Sequence, residues 1–131
     1  MATLDMRWIL ALALATSAAQ AETPMTSAEF DAYVTGKILT FGTEGDPNYG
    51  VEQYLPGKRV RWSTFNGDCI EGRWYEDAPN ICFAYENTEE HHCWTIFETP
   101  NGIKATNTNS GQVIFEGKED PSALICGDLF S

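Results

Sequence analysis

NICFAYENTEEHHCW, residues 80–94, is the stretch of sequence that decides the fold. Two runs rich in aromatic and β-branched residues flank a polar centre, which is the pattern of an antiparallel hairpin. A two-residue turn at Asn87-Thr88 sets Cys82 directly opposite Cys93. The segment therefore predicts a hairpin whose two strands are joined by a disulfide.

The remaining cysteines extend this hypothesis to the rest of the chain. Pairing Cys82 with Cys93 leaves Cys69 for Cys126, although two other pairings remain open from the sequence alone. The gaps of 12, 10 and 32 residues lack the close pairs of a zinc site. Two disulfides predict an oxidising compartment outside the cytoplasm.

On both sides of the hairpin, short β-rich runs alternate with turn residues. Eight strands are predicted: Lys37–Phe41, Tyr49–Leu55, Lys58–Thr64, Cys69–Tyr75, Asn80–Glu86, His91–Glu98, Ile103–Thr106 and Gln112–Glu116. The connections are too short for parallel crossovers, which need a dozen or more residues. We expect a mainly β domain, an antiparallel meander that is curved or partly closed like a lipocalin-type barrel.

One helix is predicted before the strands. Thr26-Ser27-Ala28-Glu29 has the spacing of a capping box. Phe30, Tyr33 and Val34 then form an apolar stripe, and Gly36 marks the expected end. A helix this short is unstable alone, so we expect it to pack on the sheet.

Strand alternation predicts an apolar inner face and a charged outer face. The aromatic residues Trp62, Trp74, Tyr85 and Trp94 share the inner face and are the candidate ligand-binding residues. The alternative is that the helix fills this space and the aromatic residues make an ordinary core. Cross-strand ion pairs are expected on the outer face among Arg61, Arg73, Glu52 and Glu71. With a two-residue turn, Glu86 and Glu89 oppose each other beside it, a like-charge pair that weakens this register unless the turn is longer.

The N-terminal segment has the pattern of a secretory signal peptide. Its apolar run, Trp8–Ala15, is too short to span a membrane, and Ala19-Gln20-Ala21 is an expected cleavage site. Two initiators are open, Met1 and Met6, and Met6 is favoured because Arg7 and the apolar run follow it directly. We therefore expect a signal peptide at residues 1–21 and a single domain at residues 22–131 that is not inserted in the membrane.

The net charge of −11 limits the partners. It is unchanged by removal of residues 1–21, because that segment holds one acid and one base. Nucleic acids and anionic membranes are therefore poor partners. As a separate expectation, the protein is a monomer.

No motif assigns a catalytic residue or a cofactor. There is no P-loop, dinucleotide fingerprint, EF-hand or G-x-S-x-G sequence. His91 and His92 are weak candidates for a metal site, but neighbouring residues on a strand point to opposite faces. Several carboxylates lie next to turns, where solvation and capping explain them: Asp46, Asp68, Glu76, Asp77, Glu119 and Asp120.

Several short motifs, which together extend over about half of the predicted mature domain, match a pattern found in other proteins. The most specific motif is a G-x-W strand, Gly72-Arg73-Trp74, which is followed by C-F-x-Y at Cys82–Tyr85 and by C-W at Cys93-Trp94. The other resembling pieces are Tyr49-Gly50-Val51-Glu52-Gln53-Tyr54, Pro56-Gly57, Arg61-Trp62, Cys69, Ile81-Cys82-Phe83-Ala84-Tyr85-Glu86 and Cys93-Trp94. In these motifs the chain resembles a family of small exported proteins of alphaproteobacteria whose function is unknown. The resemblance implies a periplasmic setting and no site residues.

These observations predict a non-enzymatic periplasmic or secreted module that binds a small apolar molecule or an envelope protein. One alternative is a secreted inhibitor or protein-interaction domain with aromatic residues on an open sheet. The other is a small hydrolase that uses carboxylates or the two histidines.

Overall fold

The computed structural model describes residues 22–120, 122–124 and 126–127, which include one helix and eight strands. The predicted signal peptide lies outside these residues. The helix α1 spans Ser27–Val34. The strands are β1 Ile38–Thr43, β2 Asp46–Leu55, β3 Arg59–Ser63, β4 Ile70–Asp77, β5 Asn80–Tyr85, β6 His91–Thr99, β7 Gly102–Asn107 and β8 Val113–Glu119.

The eight strands form a closed antiparallel barrel. Each strand pairs with the next along the chain, and β8 pairs with β1 to complete the circle. The predicted meander with one N-terminal helix is confirmed, and the sheet closes completely. Closure removes the unpaired strand edges that would otherwise be open to other chains.

The hairpin of β5 and β6 has the predicted register. Cys82 lies opposite Cys93, and the two form a disulfide. The ladder ends where Ala84 pairs with His91, so residues 86–90 form a longer connection. The two glutamates beside the turn are therefore not held as a ladder pair.

The second disulfide joins Cys69, just before β4, to Cys126, 57 residues further along the chain. The Gly127 amide donates to the Gly67 carbonyl at 2.8 Å beside it. Both predicted pairings are confirmed, and two disulfides indicate an oxidising, extracytoplasmic environment. Among the described residues, no helix has the length and apolar character needed to cross a membrane.

The helix begins with the predicted capping box. The Glu29 amide donates to the Thr26 hydroxyl at 3.1 Å, and the Thr26 amide donates to the Glu29 carboxylate at 2.8 Å. After Val34 the chain turns at Gly36, whose φ of 90° is in the left-handed region that favours glycine.

Thr26→Ala is expected to lower the free energy of unfolding by about 1 kcal/mol, because it leaves a helix amide without its side-chain acceptor. Thr26→Ser keeps the hydroxyl and should remain close to the native value. Urea denaturation of the disulfide-bonded protein measures both. Equal losses in the two variants would show that the lost methyl group, rather than the cap, is responsible.

The helix closes one end of the barrel. Phe30 and Val34 have no exposed surface. The Phe30 ring makes edge contacts with Tyr54, Trp74 and Phe83 at centroid distances of 5.7, 5.0 and 6.3 Å. We call this end the base, and the opposite end, formed by the β5–β6 and β7–β8 connections, the mouth.

The outer face carries one of the predicted ion pairs. Arg61 on β3 pairs with Glu71 on β4, and Arg59 lies 3.7 Å from the same carboxylate. Arg73 lies opposite Arg59 in the ladder. The expectation that Glu52 lies on this face is wrong, because its side chain points into the barrel.

Candidate functional site

Between the base and the mouth, the barrel contains a cavity of about 580 Å³. Ligand sites commonly have volumes of roughly 300–1,000 Å³. Apolar lining residues include Phe41, Ile96, Ile103, Ala105 and Ile114. Polar lining residues at the mouth include Asn87, Thr88, Asn109, Ser110 and Gln112. The cavity can therefore hold an apolar body and leave a polar end near solvent.

Three of the four candidate aromatic residues line this cavity: Trp62, Tyr85 and Trp94. Trp74 lies in the base instead, where it is 2% exposed and packs against Phe30. The two alternatives left open by the sequence each describe one part of the barrel. The helix fills the base, and the remaining aromatic residues surround open space.

Two glycines let aromatic rings of the cavity approach the strand backbone closely. A Cβ atom added to Gly50 would lie 2.2 Å from the Trp62 ring, and one added to Gly72 would lie 2.7 Å from Cδ1 of Tyr85. Glycine in a strand interior often marks such a close approach. The volume of the cavity therefore depends on these two positions as well as on the rings.

Glu52 is the site residue that the sequence reasoning missed. It lies opposite Trp62 in the β2–β3 ladder and is 3% exposed. The Tyr85 hydroxyl lies 2.9 Å from each of its carboxyl oxygens and donates to them. Strand alternation could have located it, because Glu52 shares a face with Tyr54, which packs against the helix.

Burial controls the titration of this group. It raises the pKa of Glu52 to about 8, and the hydrogen bond from Tyr85 offsets part of that rise. Burial, followed by the nearby Glu52 charge, also raises the pKa of Tyr85 and of Tyr54 well above the usual value for tyrosine. The Glu52 carboxyl can therefore hold a proton near neutral pH, and it becomes a negative charge inside the barrel when it loses that proton.

The two histidines lie on opposite faces of β6, as predicted. The Tyr75 hydroxyl and Nδ1 of His91 are 2.7 Å apart on the outside. His92 lines the cavity, with its ring centroid 6.3 Å from that of Tyr85. Within residues 22–120, 122–124 and 126–127, no group of three or more His, Cys, Asp or Glu side chains is placed to hold a metal ion.

Only one carboxyl group is found among the described residues that line the cavity. Glycoside hydrolysis commonly uses two. Two of the turn carboxylates are engaged locally: Asp46 accepts from the Asn48 amide at 2.9 Å, and Asp120 accepts from the Ser122 hydroxyl at 2.7 Å. The chemistry available in the cavity is therefore hydrogen bonding, aromatic contact, one ionisable carboxyl group and the imidazole of His92.

The resemblance to exported alphaproteobacterial proteins stays a prediction. Comparisons of the chain with protein-family models, with curated proteins and with solved structures find no match.

Proposed function

We propose that this barrel is a non-enzymatic binding protein that holds a small molecule in its cavity. The observation that carries the proposal is the cavity of about 580 Å³, which has aromatic walls and is closed at one end by the helix. Apolar surface that a ligand covers here is removed from water, which favours binding by roughly 25 cal/mol for each Å².

The placement of the aromatic residues favours a small ligand over a protein partner. Protein interfaces depend on exposed aromatic anchors near their centre. In the described part of the chain, the large hydrophobic residues with substantial exposure are Phe65 and Phe115, at 40% each. Trp62, Tyr85 and Trp94 instead line the interior.

A raised carboxyl pKa is also a property of acid catalysts. Glu52 could serve in that way only if a second group activated water or a nucleophile. The described lining offers Tyr85, which is already bound to Glu52, and His92, whose ring centroid is 6.3 Å from that of Tyr85. We therefore favour binding over catalysis.

We place the protein in the periplasm or outside the cell, after removal of residues 1–21. The signal-peptide pattern, the two disulfides and the resemblance to exported proteins support this location.

The proposal predicts that the uncharged fluorescent probe N-phenyl-1-naphthylamine binds the protein at one saturable site. Ala105→Trp places a bulky ring inside the cavity and is expected to weaken binding by about tenfold or more, since it fills space that the probe needs. Fluorescence titration measures the affinity.

Thr106→Trp is the matched control. It introduces the same ring at the neighbouring residue of β7, which faces outward, opposite Thr95 in the ladder. This variant should bind the probe as the native protein does. Absence of saturable binding to the native protein, or equal weakening in both variants, would refute the proposal of an internal site.

A further inference from the structure

The charges in the cavity identify a class of ligand. Glu52 supplies a carboxyl group to the cavity lining. It lies two residues along β2 from Tyr54, which contacts the helix at the base of the barrel. The described lining includes no lysine or arginine. A fatty acid or another anionic ligand would therefore meet a carboxyl group without a lysine or arginine partner in the described lining.

Aromatic residues lie beside the same carboxyl group. Tyr85 hydrogen-bonds to Glu52, and Trp62 lies opposite it in the ladder, with Tyr49 5.8 Å from the Trp62 ring by centroid distance. The faces of Trp and Tyr rings attract cations, and sites lined by several such rings recognise quaternary ammonium groups. A carboxylate among them adds a direct counter-charge.

We propose that the cavity is selective for an organic cation, an amine or quaternary ammonium compound with an apolar body, whose charged group pairs with Glu52. The inference rests on the proposed function, because it names the ligand class of the same cavity. The net charge of −11 acts in the same direction, since it attracts cations from solution.

Binding of a cation should be coupled to loss of the Glu52 proton. The ionised form is the one that pairs with the ligand, and the pKa of Glu52 is about 8 in the free protein. Affinity for a permanent cation should therefore rise by about tenfold for each pH unit below that value and level off above it.

The other titratable groups that face Glu52 can be separated from it. Tyr49, Tyr54 and Tyr85 all have a pKa raised by burial above that of ordinary tyrosine, so they stay uncharged in this range. His92 is the remaining titratable residue of the described lining. A His92→Gln variant must keep the rise in affinity with pH if Glu52 is its source.

The test compares benzyltrimethylammonium with its uncharged isostere neopentylbenzene, in which carbon replaces the nitrogen. The affinity of the protein for each compound is measured by displacement of N-phenyl-1-naphthylamine. Glu52→Gln keeps the size of the side chain and an acceptor for Tyr85 but removes the negative charge. We expect the ratio of cation affinity to isostere affinity to fall by about tenfold or more in this variant at pH 8. Glu119→Gln, which removes a charge from an exposed position on β8, should leave the ratio unchanged.

The outcomes separate this inference from the proposed function. If the isostere binds and the ratio of cation affinity to isostere affinity is unchanged in Glu52→Gln, the inference of a cationic ligand is refuted. The proposal of a small-molecule binding protein would then still stand. A pH-independent affinity of the native protein for benzyltrimethylammonium would refute the inference of a cationic ligand equally. Failure of every probe to bind would refute both proposals together.

Discussion

Phe30→Ala is expected to lower the free energy of unfolding by about 3–5 kcal/mol, which is typical of removing a buried aromatic ring. Phe30 has no exposed surface and is the residue through which the helix contacts three aromatic rings of the barrel. The helix has only 8 residues, so it depends on this packing rather than on its own propensity. Denaturation in urea, followed by tryptophan fluorescence and circular dichroism, measures the loss.

Phe115→Ala is the control for this prediction. It removes the same ring from β8, where the side chain is 40% exposed, and should cost less than about 1 kcal/mol. A similarly small loss in Phe30→Ala would mean that the backbone bonds, such as the one from the Gly36 amide to the Tyr54 carbonyl at 2.8 Å, hold the helix without the ring.

Most of the barrel could be predicted from local sequence rules. Each hairpin connection is marked by turn residues, and each strand by alternation, so the order and direction of the strands followed from them. The register of the β5–β6 hairpin predicted the Cys82–Cys93 disulfide, and the two remaining cysteines, Cys69 and Cys126, form the second disulfide in the structure. The capping box located the helix start within the same four residues.

The completeness of the barrel and the depth of the helix could not be predicted in this way. Closure requires β1 to pair with β8. These two strands are distant in sequence, and no pattern in either one identifies the other as its partner. Whether Trp74 or Trp62 meets the helix depends on which end the helix enters, and the two residues have the same strand phase. The sequence therefore identified the inner aromatic residues, but not which of them pack against the helix and which line the cavity.

Glu52 departs from the usual pattern in which a charged residue of a half-buried strand faces the solvent. Gly50 and Tyr54 lie two residues before and after Glu52 on β2, so they share its face of the strand. Gly50 lies against the Trp62 ring, and Tyr54 is buried at the base. An acid between two inward positions is exceptional, since an isolated buried carboxyl group is costly when ionised. Such a departure from the usual pattern is more common at functional sites than elsewhere.

Glu52 should also make the stability of the protein fall as the pH rises through the neutral range. The pKa of this carboxyl is about 8 in the folded state, against an ordinary value of 4.5. Below the ordinary value both states are protonated, and the contribution of Glu52 to stability is fully present. Between the two values the unfolded chain loses the proton while the folded protein keeps it, so stability falls by about 1.4 kcal/mol for each pH unit. Above about pH 8 the contribution is lost.

The comparison of native protein with Glu52→Gln isolates this contribution, because the other carboxyl groups titrate in both proteins. The difference between their free energies of unfolding should shift in favour of the variant by several kcal/mol between about pH 5 and about pH 8.5. A shift of that size is a large fraction of the roughly 5–15 kcal/mol that stabilises a typical domain. Glu119→Gln, which removes an exposed carboxyl group, should differ from the native protein by a nearly constant amount. A constant difference for Glu52→Gln as well would mean that the carboxyl is ionised in the folded protein at no cost, with water or a cation in the cavity already compensating its charge.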